Sequence, residues 1–269
     1  MENSHEELKL NMTLNPNAVI APILKSTFEC TENVLFGLKS IDSLTSLQNE
    51  LLEEDVFFQV RQGYPTDFIT QKKNYKEWLL KKGFSDLMEG IKYSLAEANY
   101  FISLCNMAEN GHIKTTFKAI KQSIAKNRKE SLKMHLPELL SEVNKYLIEP
   151  LSFGNEIISL NQVRNCLVHR KGMVSDMDLN NKVNSLLKAQ WVRLKLFYIL
   201  GEEEIELTKG HIVKVENANI LHKLEKQEKS FSLGEHITFS YQDYNELLVT
   251  CYQFGYDLVS KLPKLPTIE

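Results

Sequence analysis

Three residues whose types suit proton transfer and anion binding lie together in one short segment. They are Arg164, Asn165 and His169, within the stretch Arg-Asn-Cys-Leu-Val-His. Histidine can take up and release a proton near neutral pH without a large pKa shift, which suits it to general acid–base catalysis. Arginine presents a planar fork of N–H donors that matches the oxygens of an anion. The segment is therefore a candidate site for acid–base chemistry at an anionic group.

The segment 155–169 that carries these residues has a helical period of apolar residues. At 100° per residue, Asn165 and His169 share the polar flank of this helix, one turn apart. Arg164 falls inside the apolar sector. An arginine in that position is costly unless its charge meets an anion or a hydrogen-bonding partner. Arg164 is thus the residue whose environment most needs an explanation.

A purely structural interpretation of the same stretch is also open. His169, Arg170 and Lys171 followed by Gly172 resemble an ordinary helix C-terminus, with cations in the last turn and a glycine cap. Arg164 could pair with a structural carboxylate. This interpretation predicts that Arg164→Ala chiefly lowers stability.

The string Leu-Asn-Gln-Val-Arg-Asn-Cys-Leu-Val-His-Arg-Lys-Gly, residues 160–172, resembles the signature helix of HEPN domains. These helical domains carry an arginine, commonly followed by a polar residue such as asparagine, and then a histidine after a gap of several residues. In this chain the pattern falls on Arg164, Asn165 and His169. The resemblance covers about residues 66–200 and is specific only at the motif.

The resemblance implies a metal-independent endoribonuclease that works as a homodimer, with two motifs facing each other across a two-fold axis. His169 would then act as general acid or base, Arg164 would stabilise the phosphate, and Asn165 would position either group. The expected substrate is RNA, because only RNA has the 2′-OH that can attack the adjacent phosphate. Such proteins often act as toxins or antiviral defence effectors, which implies an antitoxin or another regulatory partner. The alternative is a non-catalytic HEPN dimer that binds a nucleotide or a protein.

Candidate RNA contacts lie beside the motif and in a basic segment upstream. Residues 112–135 contain seven lysine and arginine residues against a single glutamate, in a chain whose formal net charge is −3. Any attraction for RNA must therefore come from a local patch. The residues predicted to contact RNA are Arg170, Lys171, Lys118, Lys121 and Lys126. The basic segment could equally be a solvated surface.

The periodicities predict a mainly α-helical protein. We expect an irregular lead-in over residues 1–27, followed by a helix from about Cys30 to Glu54. A longer helical stretch runs from Thr66 to Glu109, divided at Gly83 and capped by Asn110-Gly111. Further helices are predicted at Leu136–Ile148, 155–169 and Asp178–Leu200.

The last third is predicted to contain a small β element and a terminal helix. A hairpin is expected from Glu204–Thr208 and His211–Val215 around Lys209-Gly210, with further strand at 229–233 and 236–239. The last helix should begin at Ser240, which has a capping-box partner in Asp243, and stop before Pro263.

With the resemblance, these elements imply an antiparallel HEPN-like helical bundle with a C-terminal hairpin and a terminal helix. We divide it into a partly helical N-terminal extension (1–62) and a HEPN-like domain (63–262). The domain has a core over 63–200 and a strand-containing segment with the last helix over 201–262.

Several other chemistries find no support in the sequence. It has no His-x-x-x-His, no phosphate-binding glycine loop and no Gly-x-Ser-x-Gly elbow. The four cysteines are widely spaced, as expected for buried free thiols in a reducing compartment. The acidic N-terminus does not resemble a secretory signal, and no apolar run approaches the ~18 residues of a membrane span. We therefore expect a cytoplasmic protein that needs no metal or cofactor.

Overall fold

The computed structural model describes residues 14–45, 67–107 and 116–264, apart from 209, 211–212 and 214–218. Over these residues the protein is mainly helical and has one small antiparallel sheet, as predicted. The helices are α1 (Asn17–Cys30), α2 (Phe36–Ser43), α3 (Phe68–Met107), α4 (Phe117–Lys133), α5 (Leu136–Asn144), α6 (Gly154–His169) and α7 (Tyr241–Ser260). A π-helical turn, Thr31–Leu35, joins α1 to α2. No helix in the described ranges is long and apolar enough to cross a bilayer.

The first helix begins earlier than predicted. We expected residues 1–27 to be irregular because they contain Pro16 and Pro22, but α1 starts at Asn17 and continues through Pro22. A proline inside a helix costs about 3 kcal/mol. Burial of Val19 and Ile23 in the common core offsets that cost, as α1 packs on α3 and α7. The described part of the N-terminal segment thus shares its core with the rest of the chain.

The long helix α3 is continuous, so the predicted division at Gly83 was wrong. Gly83 is instead a point of close packing. A Cβ atom there would lie 2.0 Å from the Tyr244 hydroxyl oxygen and 2.9 Å from Cγ2 of Val34. The predicted cap at Asn110-Gly111 lies outside the described residues. The predicted starts of two later helices are confirmed. Helix α5 starts at Leu136, although it stops at Asn144, and α7 starts at Tyr241 with Ser240 as its N-cap and Asp243 as the predicted capping-box partner.

Gly83→Ala should therefore destabilise the protein, although alanine is the better helix former. Overpacking of this kind typically costs about 1–3 kcal/mol. The Tyr244 hydroxyl itself is buried without a conventional hydrogen bond, and its thiol neighbour Cys30 donates to the Gly83 carbonyl. Tyr244→Phe should thus be neutral or stabilising, and it should reduce the penalty of Gly83→Ala. Urea denaturation of the two single variants and the double variant gives their free energies of unfolding. Additive changes in these free energies would contradict the predicted coupling.

The largest difference from the prediction lies in the sheet, where a strand replaces a predicted helix. We expected a helix over Asp178–Leu200, but Leu186–Leu200 is a strand, β1. It lies between β2 (Glu203–Glu206) and β3 (Leu221–Ser232), and both pairings are antiparallel. The strand period is visible in Leu187, Ala189 and Trp191, which are buried and alternate with more exposed residues. Further along β1, apolar residues lie on both faces of the strand. Their spacing in the sequence therefore resembles a helical period, which is why a helix was predicted.

The first segment of the predicted hairpin contains a strand, β2. β2 pairs with β1 through a turn at Gly201, whose φ of +66° favours glycine. Its predicted partner, His211–Val215, lies outside the described residues except for Val213. The predicted strand at 229–233 forms the end of β3, whereas 236–239 contributes an isolated bridge from His236 to Met173. The inner face of the sheet packs on α6 and α7, and this contact fixes one side of α6.

Candidate functional site

Helix α6 carries the predicted motif and is held on several sides. Its apolar stripe, Ile157, Leu160, Val163 and Leu167, is buried in the core as the helical period predicted. Ser159 fixes the helix to the sheet, since its hydroxyl accepts the backbone N–H of Gln190 at 2.9 Å and donates to the Glu156 carbonyl at 2.8 Å. The opposite face of α6 carries the polar residues, and these are held on a rigid element.

The three motif residues contact one another through the Arg164 guanidinium. Nη1 of Arg164 donates to Oδ1 of Asn165 at 3.1 Å and lies 3.4 Å from Nε2 of His169. Arg164 and Asn165 are half-buried and His169 is exposed. Across the described residues, Arg164 forms no ion pair with a carboxylate, so the structural pairing considered above is not found there.

This arrangement leaves a positive charge beside an imidazole at the protein surface. A guanidinium can only donate, so its contact with Nε2 is a hydrogen bond when that nitrogen carries the lone pair. A lone pair on an exposed imidazole nitrogen is what a general base requires. The remaining N–H groups of Arg164 can donate to an anion that approaches the same surface. Proton transfer and anion binding can therefore take place at one point once an anion draws the guanidinium away from Nε2.

The end of α6 is fixed by a glycine cap and a buried ion pair. The N–H groups of Arg170 and Gly172 both donate to the Cys166 carbonyl, and Gly172 has a φ of +78°, which confirms the predicted cap. Arg170 donates through Nε and Nη2 to the two carboxylate oxygens of Asp178, with an Nε–Oδ2 distance of 2.6 Å. Ser175 donates to the same carboxylate through its N–H and its hydroxyl.

Asp178 is almost completely buried and its charge is compensated. Burial alone would raise the pKa of Asp178, but the hydrogen bonds from Arg170 and Ser175 outweigh it and hold the pKa below its ordinary value of 3.8. The guanidinium of Arg170, predicted to contact RNA, is instead occupied by this buried carboxylate. We therefore assign Arg170 to the stability of the α6 terminus. The sequence gives no sign of this partner, which lies eight residues further on.

Cys166 lies within the motif but is not a nucleophile. Burial, together with the charge of Asp178, raises the pKa of the Cys166 thiol from 9.0 to about 12. The thiol is thus protonated at neutral pH. As predicted, all four cysteines are free and buried.

The predicted RNA-contacting lysines fall in two places. Lys171 is exposed in a left-handed conformation with a φ of +53°, and it lines a small groove with Trp78 and His236 just beyond the motif. Lys118, Lys121 and Lys126 are exposed on α4. This helix packs along α3, where Arg128 pairs with Glu97, and has no extensive contact with α6. Lys126 also lies 4.0 Å from Glu130. Of these four lysines, only Lys171 lies next to the motif.

Two polar residues beside the motif were not predicted from the sequence. Gln162 lies on the same face of α6 as Asn165 and His169, and Asn180 donates to its side-chain oxygen at 2.8 Å. The helical spacing of Gln162 could have revealed it, whereas Asn180 is brought there by the turn before β1. In the part of the chain that the structure describes, no three or more acidic, cysteine or histidine residues cluster as a metal site would require.

Comparison of the chain with family models, with curated proteins and with solved structures gave no match.

Proposed function

We propose that this protein is a metal-independent endoribonuclease of the HEPN type. The observation that carries the proposal is the contact of the Arg164 guanidinium with both Asn165 and His169, with no carboxylate paired to it in the described residues. A half-buried arginine with no carboxylate paired to it there is suited to bind an anionic ligand, and the adjacent imidazole is suited to proton transfer. The resemblance of residues 160–172 to the HEPN signature makes RNA the ligand.

The reaction proposed is attack of the 2′-oxygen on the neighbouring phosphorus. The O2′–P bond forms as the P–O5′ bond breaks, which leaves a 2′,3′-cyclic phosphate and a 5′-hydroxyl end. Nε2 of His169, released from Arg164 when the phosphate draws the guanidinium to itself, takes the proton from the 2′-OH, and the leaving 5′-oxygen receives a proton from an acid on the other side of the phosphate. Arg164 donates to the non-bridging oxygens, whose charge grows in the transition state.

A homodimer would supply the second acid. Pairing two copies of the motif across a two-fold axis places a second His169 opposite the first, so that one accepts and the other gives a proton. The proposal of a homodimer rests on the resemblance. The same homodimer without cleavage would be the nucleotide- or protein-binding module considered as the alternative.

The test compares an RNA oligonucleotide with its all-2′-deoxy counterpart, both incubated with the purified chain in EDTA. We expect cleavage of the RNA and none of the DNA, because the nucleophile is the 2′-OH. A substrate with a single 2′-deoxy residue should lose cleavage only at the bond that follows it. Equal cleavage of both polymers would contradict the mechanism.

A further inference from the structure

A groove of about 450 Å³ lies beside the part of α6 that precedes the motif. One wall comes from α6 and includes Gln162, and the other comes from the turn before β1 and from β1 itself. Its polar lining includes Gln162, Asn180, Lys182, Lys188 and Gln190. Gln162, Asn165 and His169 follow one another at steps of three and four residues, so the groove and the motif share one helix face.

The orientation of the Gln162 amide is fixed by its neighbour. Nδ2 of Asn180 donates to Oε1 of Gln162 at 2.8 Å and also to the carbonyl of Lys188 at 2.8 Å. The Asn180 oxygen accepts the backbone N–H of Lys188 at 2.7 Å. With its oxygen engaged, Gln162 can offer its NH₂ group to a ligand. Because Asn180 is anchored to β1, this donor is positioned in advance.

The opposite wall offers a hydrogen-bond acceptor. Nε2 of Gln190 donates to Glu228 at 2.9 Å, so the amide oxygen of Gln190 can serve as an acceptor. Lys188 pairs with the same Glu228 at 2.7 Å, which neutralises that carboxylate. Lys182 is exposed at the rim of the groove. The groove thus combines a fixed amide donor, an amide acceptor and a cationic edge.

We propose that this groove reads one unpaired nucleobase of the RNA whose phosphate is held at Arg164 and His169, so this inference rests on the proposed function. Base edges carry donors and acceptors side by side, which matches the two amides, whereas a phosphate would need only donors. Sequence-specific RNA recognition uses unstacked bases of this kind. From Gln162 to His169 the helix rises about 10 Å, a separation that a neighbouring nucleotide can span. Gln162 is the specificity-determining residue, and Asn180 positions it.

The experiment measures binding of fluorescent 2′-O-methyl hexamers of A, C or U, which the proposed reaction cannot cleave. Fluorescence anisotropy in EDTA compares the wild-type chain with Gln162→Met and with Gln242→Met. Gln242 is a matched control, because it is also a helical glutamine hydrogen-bonded to a neighbour, here Glu246 at 3.1 Å. We expect the wild-type chain to bind one hexamer more tightly than the others. Gln162→Met should lower the affinity for that hexamer alone by about 3- to 10-fold, the effect of one hydrogen bond. Gln242→Met should change nothing.

The outcomes separate this inference from the proposed nuclease. Equal binding of all hexamers, no binding, or an unchanged preference in Gln162→Met would overturn the base-reading groove. Cleavage of RNA combined with any of these results would leave the nuclease standing. A preference that Gln162→Met removes, in a protein that cleaves no RNA, would support the groove and reject the nuclease.

Discussion

Replacing His169 by alanine is expected to lower the rate of RNA cleavage by about 10²–10⁴-fold, the usual contribution of a general acid or base. His169 is exposed, and in the described residues the hydrogen-bond contact of its ring is with Arg164, so the variant should keep its fold. Arg164→Ala should lower the rate by about 10²–10³-fold, as removal of a transition-state donor does. Initial rates on a labelled RNA, with excess enzyme, measure both effects.

The double variant gives a sharper result. If the guanidinium and the imidazole act on one transition state, Arg164→Ala should add little to the loss already caused by His169→Ala. His222→Ala is the matched control, because this exposed histidine lies on β3, outside the motif. Circular dichroism and size-exclusion chromatography should give the same fold and oligomeric state for all variants. A His169→Ala protein with wild-type activity would remove the imidazole from the reaction.

Loss of the Arg170–Asp178 ion pair is expected to have the largest effect on stability. Arg170→Met leaves the carboxylate of Asp178, whose side chain is 1% exposed, without its cation, and breaking such a pair from one side costs about 3–5 kcal/mol. Asp178→Asn should cost less, because the Arg170 side chain is 25% exposed and can turn toward water. The double variant should be less destabilised than the sum of the two. Free energies of unfolding from urea denaturation test this, and additive losses would contradict it.

The same pair predicts a dependence of stability on pH. The pKa of Asp178 is lowered in the folded protein, so the folded state gains stability from this group when it is ionised. That gain is present above the unfolded pKa of about 4 and is lost as the pH falls through the lower folded pKa. The difference in unfolding free energy between wild type and Asp178→Asn should therefore be constant near neutral pH and shrink below about pH 4. A difference that grows toward acid pH would contradict this assignment.

The sequence predicted what depends on local period and capping. Helix α6, its buried stripe and its glycine cap follow from residue spacing, and Ser240 starts α7 through a capping box with Asp243. These features require only neighbours within a few turns. For the same reason the placement of Asn165 and His169 on one face of α6 follows from their spacing alone.

What the sequence did not predict depends on contacts between distant residues. The run that forms β1 has apolar residues on both faces, so its pairing with β2 and β3 is what distinguishes a strand from a helix. Pro22 is tolerated in α1 because of packing on α3 and α7. Arg170 was interpreted as an RNA contact because it is basic and adjacent to the motif, and its ion pair with Asp178 was not predicted because Asp178 lies across a turn. The orientation of Gln162 likewise depends on Asn180, which the fold brings to it.

The measurement that tests the central claim most directly is identification of the ends formed when the purified wild-type chain is incubated with a mixed labelled RNA in EDTA. Arg164→Ala and His169→Ala proteins are incubated beside it. The account predicts cleavage by wild type alone, with 2′,3′-cyclic phosphate and 5′-hydroxyl ends. Cleavage that all three proteins share would contradict it, as would a folded wild-type protein that cleaves none of several RNAs, the result expected of a binding module.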